Sequence, residues 1–117
     1  MEIQGIYAAI ATNDMPASEK FYTTLFGREP DDRPMDGLIQ WREVAGANIQ
    51  VFSNDDNAGS SMCTIVVPDM SDARASLERA GLSLKNEQQG DFGKIAKIDD
   101  PAGNEITLAE PPKAVAD

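Results

Sequence analysis

The stretch KIDDPAGNEITLAE, Lys97–Glu110, reads as two short strands joined by a tight turn, and the rest of the chain is built on the same plan. Strand side chains alternate between faces, so with Ile106 and Leu108 packed on a core, Thr107 points the other way, into water or a pocket. In the turn, Pro101 presets φ, Gly103 tolerates positive φ, and the Asp100 and Asn104 side chains can cap exposed backbone. That chemistry suits any tight hairpin, so it argues for a fold and not for a function.

Upstream, Ser61–Val67 has the composition of a strand, Asp69 caps a helix carrying Ala73, Leu77 and Ala80, and Gly81 stops it; two or three strands follow through Ala109. The same order runs through the first half. Ile3–Ala11 is an expected strand with Ile6, Ala8 and Ile10 on one side and Tyr7, Ala9 and Ala11 on the other. Asn13-Asp14 then supplies a cap, Pro16 is tolerated in the first turn, Phe21, Tyr22 and Leu25 form the apolar stripe, and Gly27 ends the helix. Arg28–Asp36 reads as a short edge strand and loop, and Gly37–Val44 with Ala47–Ser53 as a hairpin turning at Ala45-Gly46. The halves superpose as a repeat: Asp14-Met15 on Asp69-Met70, Gly27 on Gly81, and Gly46–Val51 on Gly103–Leu108. Each half is therefore β-α-β-β-β. The expected modules are 1–53 and 61–110, with NDDNAGS (54–60) as linker and 111–117 as a frayed tail beginning with two prolines.

At 117 residues and 41% hydrophobic content the chain has room for one domain with a real core. No apolar run approaches the roughly 20 residues that span a bilayer, and MEIQGIYAAI lacks the basic start and cleavage site of a signal peptide, so the cytoplasm is the expected compartment. The one cysteine, Cys63, excludes an internal disulfide and reads as a strand residue within an apolar run. Twenty acidic against ten basic residues give a net charge of −10, which repels nucleic acid and anionic membrane; its plain meaning is solubility, with some attraction for cationic ligands. Histidine is absent, which removes imidazole bases, Ser-His pairs and His-ligated zinc or iron.

The pattern Asp14-x-x-x-Ser18-x-x-Phe21-Tyr22-x-x-x-Phe26-Gly27, with the Asp100-Pro101-Ala102-Gly103-Asn104 turn before a final strand, resembles the vicinal oxygen chelate superfamily, which includes glyoxalase I, extradiol dioxygenases and bleomycin-resistance proteins. The resemblance covers about Ile3 to Ala109. It implies an α+β fold in which two βαβββ modules curl into an open cup-shaped mixed sheet with helices outside. It also implies where a metal would sit in relatives that bind one: the four positions fall on Tyr7, Gln50, Met62 and Thr107. These offer no imidazole or carboxylate, so the expectation is a site without metal and a protein without cofactor. Glu105 and Glu43 read as ordinary surface charges.

Alternation places Tyr7, Ala9, Asn48, Gln50, Phe52, Met62, Thr64, Glu105 and Thr107 on the cup face, while Ile6, Ile10, Ile49, Val51, Ile65, Val67, Ile106 and Leu108 pack under the helices. With a two-residue loop at Ala45-Gly46, Trp41 lies opposite Gln50 and joins the cup; a one-residue slip sends it to the helix side. The candidate ligand-binding set is Tyr7, Trp41, Gln50, Phe52, Met62, Thr64 and Thr107, an apolar and aromatic wall with a few amide, hydroxyl and phenol groups. The leading reading is a metal-free protein that binds a small molecule, as in the bleomycin-resistance branch, and pairs as a homodimer. Two others stand beside it: a lyase or dioxygenase-type enzyme, against which the missing histidine weighs, and a dimer whose cup is plugged by its own side chains.

Overall fold

Each half of the chain builds a four-stranded mixed sheet with one helix packed on it, as seen in the computed structural model, which describes residues 1–112. The first half contains β1 (Ala8–Thr12), α1 (Met15–Phe26), β2 (Asp32–Met35), β3 (Leu38–Val44) and β4 (Ala47–Ser53), in the sheet order β1-β4-β3-β2. The second contains β5 (Met62–Val66), α2 (Met70–Arg79), β6 (Lys85–Gly90), β7 (Gly93–Asp99) and β8 (Glu105–Glu110), in the order β5-β8-β7-β6. In both, the first strand pairs parallel with the last and the other pairings are antiparallel. The fold is α+β, two βαβββ modules whose sheets stay open. By contacts, one compact unit is Met1–Ser61 with the turn Asp100–Asn104, and the other is Met62–Asp99 with the chain from Glu105.

The helices begin and end for local reasons. The Asp14 carboxylate accepts from Ala17 N and that of Asp69 from Asp72 N, each filling an orphan donor of a first turn. Gly27, at φ 75°, closes α1 in the left-handed conformation open to glycine, and its N–H bonds Thr23 O. The core of the first unit lies between α1 and one face of its sheet: Ile10, Ile39, Trp41, Ile49 and Val51 under Phe21 and Tyr22. In the second, Met70 and Leu77 of α2 share burial with Ala96, Ile98, Ile106 and Leu108.

Three sequence expectations are corrected here. Trp41 belongs to the helix side. The two-residue turn forms as expected, with Val44 opposite Ala47, but Glu43 takes φ 54° and the register slips by one, so Trp41 faces Ile49 and Gln40 faces Gln50. The indole is fully buried, its ring 5.4 Å from Phe26 and 6.3 Å from Tyr22, and Nε1 donates to Arg28 O at 2.9 Å. The first strand is also shorter than Ile3–Ala11. Ala8 pairs with Ile49, so β4 ends at its turn before it could reach Ile3 or Gly5. Ile6 consequently lies outside the sheet and is 75% exposed instead of buried under a helix. Ile65 and Val67, finally, are only half-buried.

The Asp100–Asn104 turn is a buried polar hub of the first unit. Asp100 Oδ1 accepts from Ala102 N and Asn104 N, and Oδ2 from Tyr22 Oη at 2.6 Å and Asn104 Nδ2 at 2.9 Å. Asn104 Nδ2 also donates to Ala11 O, while its Oδ1 accepts from Gly59 N and Ser61 N. Ser61 Oγ takes the Ala11 N–H. The outer edge of β1 is thereby paired to side chains, and Thr12 Oγ1 and Ser18 Oγ, both buried, hydrogen-bond at 2.6 Å where β1 passes into α1. The Ser18, Tyr22, Asp100 and Asn104 positions of the two sequence patterns thus each have a bonding role. The frayed tail expected at 111–117 lies, from residue 113 on, outside the described residues.

Candidate functional site

Every sheet has a face turned from its helix, and strand alternation decides what stands on it. In the first unit, Ala9, Gln50 and Gln40 form one cross-strand row and Phe52 and Leu38 belong to the next. Gln40 Nε2 donates to Gln50 Oε1 at 3.3 Å, and Phe52 is half-buried. Tyr7 precedes β1 and is half-buried at a surface cleft of about 460 Å³ shared with Arg42, Glu43 and Asn48. A neighbouring cleft of about 500 Å³ has Ile3, Ile6 and Ala47 in its wall. Between them Asn48 accepts from Glu43 N and donates to Ile6 O, tying the bulge of β3 to the N-terminal segment.

In the second unit the open face is a grid. Met62, Glu105 and Asp99 form one row; Thr64, Thr107, Lys97 and Lys85 the next; Ala109 and Ile95 follow, with Val66 and Gln88 at the ends. Met62 is 78% exposed and Val66 66%, whereas Thr107 is half-buried. Lys97 Nζ donates to Glu105 Oε1 at 2.9 Å and Lys85 Nζ to Asp99 Oδ2 at 2.6 Å. Cys63, on the opposite side of β5, is free and half-buried, and burial pushes its thiol above the ordinary range.

Of the seven residues singled out from sequence, Gln50 and Phe52 share the open face of one unit and Met62, Thr64 and Thr107 that of the other; Tyr7 stands at the cleft edge, and Trp41 is core. Sequence reasoning passed over Lys97. Counting register across the turn, with Asp99 opposite Glu105, puts Lys97 opposite Thr107 and would have found it.

No family model and no curated protein matches the chain. Solved structures do. A glyoxalase/bleomycin resistance protein from Catenulispora acidiphila superposes with TM-score 0.82 at 25% identity, over 92% of this chain and 98% of that one. Lactoylglutathione lyase from Agrobacterium tumefaciens gives 0.75 at 18% identity, over 90% and 91%. The bleomycin-binding protein of bleomycin-producing Streptomyces verticillus, in complex with copper(II)-bleomycin, gives 0.72 at 17%, over 96% and 99%. The chain has the vicinal oxygen chelate fold. With that fold, the positions implied for a metal carry a phenol (Tyr7), an amide (Gln50), a thioether (Met62) and a hydroxyl (Thr107). Divalent ions of the kind bound by oxygen and nitrogen want several carboxylates or imidazoles, and the Gln50 oxygen already accepts from Gln40. Among the described residues no three of His, Cys, Asp and Glu are grouped so as to hold an ion. This donor set does not fit a vicinal oxygen chelate metal centre.

Proposed function

We propose that this chain is a small-molecule binding protein that works without a metal and receives its ligand on the open sheet faces. The observation that carries the reading is the make-up of those faces, each taken by itself: Phe52 with the Gln40–Gln50 amide pair in the first unit, and Met62 and Val66 with Thr64, the half-buried Thr107 and the Lys97–Glu105 and Lys85–Asp99 pairs in the second, so that apolar and polar groups stand side by side on both. The likeness to the bleomycin-binding protein supports it at the level of fold. Tyr7, Gln50, Phe52, Met62, Thr64 and Thr107 are the contact residues in this reading, and Trp41 stands behind the sheet as support. The test is titration of isotope-labelled protein with aromatic compounds followed by amide chemical shifts. Perturbations gathered on Gln50, Phe52, Thr64 and Thr107 are expected; perturbations confined to the helices would overturn the reading.

The exposure of Met35 and Phe92, outside the contact set proposed for the ligand, favours a further feature, a cytoplasmic homodimer in which apolar surface of this kind is covered by a second copy. Sedimentation distinguishes it directly. A species of twice 12.6 kDa at micromolar concentration is expected, and a monomer alone would remove it.

A further inference from the structure

The net charge of −10 suggests a cationic guest, but a ligand on a sheet face feels the charges within about a Debye length, roughly 8–10 Å, more than the total. The open face of the second unit carries two ammonium groups, Lys97 and Lys85, and two carboxylates, Glu105 and Asp99. Locally it is neutral. Lys97 is the central charge of that face, on β7 opposite Thr107, whose other neighbour is Thr64. Its side chain is 33% exposed, with Ile95 two residues before it. An ammonium has three donors, and Glu105 is the single acceptor bonded to Lys97 among the described residues. Donors therefore remain for an incoming acceptor, in a row that already holds two hydroxyls. A part-desolvated ammonium bonds an anionic oxygen more strongly than a neutral one.

We propose that Lys97 is the specificity-determining residue of this face and that the ligand is an apolar, planar molecule bearing an anionic oxygen, the body lying over Met62, Val66 and Ala109 and the charged group meeting Lys97 beside Thr107 and Thr64. This rests on the binding role proposed above and assigns its ligand class. Glu105 then acts as a competing internal anion that holds the ammonium in place and limits how tightly a guest is held.

Two fluorescent probes separate the claims: the anionic dye anilinonaphthalene sulfonate and the neutral dye Nile red, each titrated into wild type, Lys97→Met, Lys97→Arg and Glu105→Gln, with amide shifts reporting where the dye sits. Circular dichroism confirms that each variant is folded. Lys97→Met should weaken the anionic dye about tenfold, Lys97→Arg should retain most of its affinity, Glu105→Gln should strengthen it, and Nile red should bind all four alike. Equal affinity of the anionic dye for wild type and Lys97→Met, with Nile red still bound at this face, overturns the role of Lys97 and leaves the binding reading intact. If neither dye perturbs Thr64 and Thr107 in the wild type, both readings fall.

Discussion

Asn104 commits every hydrogen-bonding atom of its side chain: Nδ2 to Ala11 O and Asp100 Oδ2, Oδ1 to Gly59 N and Ser61 N. A buried group left without its partner costs about 1–3 kcal/mol, so Asn104→Ala, which orphans several at once, should lower unfolding free energy by about 3 kcal/mol or more. Tyr22→Phe removes one bond to Asp100 and should cost about 1–2 kcal/mol. Chemical denaturation measures both; equal effects would mean that the hub does not hinge on Asn104. Thr107 is the contrasting case. Half-buried on an open face, it should accept Glu within about 1 kcal/mol of wild-type stability, because the new carboxylate can reach water. Thr107→Glu should gain no metal-dependent turnover either, since Tyr7 and Met62 still supply no adequate ligand. A metal-dependent rate in that variant would refute the donor-set argument.

At the scale of the element, the β3–β4 hairpin bends where its residues are poorly suited. Ala45 sits at φ 50° and Gly46 at φ 88°, a turn that favours Asn followed by Gly. Ala45→Asn should raise stability by about 0.5–1 kcal/mol, read as an upward shift of the denaturation midpoint at unchanged slope. No gain would show that neighbouring contacts and not turn preference set that conformation. The Glu19–Arg33 pair links α1 to β2, and its hydrogen bond holds the Glu19 carboxyl below the ordinary glutamate range. With the folded value depressed, the contribution is present at neutral pH and disappears as pH falls through that folded value. Arg33→Gln should therefore lower the melting temperature slightly at pH 7 and not at all at strongly acid pH. Arg33 is exposed and Glu19 half-buried, so water screens the pair and the effect is small.

For the whole molecule, the proposed independence from metal has a direct readout. On that proposal, melting curves with and without excess chelator should coincide, since no ion would add to the free energy of folding. A fall of several degrees would mean that ligands lie at positions other than Tyr7, Gln50, Met62 and Thr107. Cys63 gives a second global probe. Its half-buried thiol, pushed up by desolvation, should react slowly with thiol reagents at pH 7 and faster as pH rises, and rapid labelling at neutral pH would show that β5 opens readily.

Periodicity, caps and turn residues were enough, by themselves, to determine the repeated βαβββ order, because alternation, Asp14, Asp69, Gly27 and Gly81 act within a few residues of where they stand. They also determined the type of side chain at each candidate position. Facing at Trp41 was decided only in the tertiary structure: a single bulge residue, Glu43, shifts every side chain before it to the other face, and nothing local in the sequence marks it. The burial of Asp100 and Asn104 is likewise tertiary. Any tight hairpin would tolerate those residues, but their partners Ala11, Tyr22, Gly59 and Ser61 lie 43–93 residues away along the chain, and only the tertiary fold brings them together.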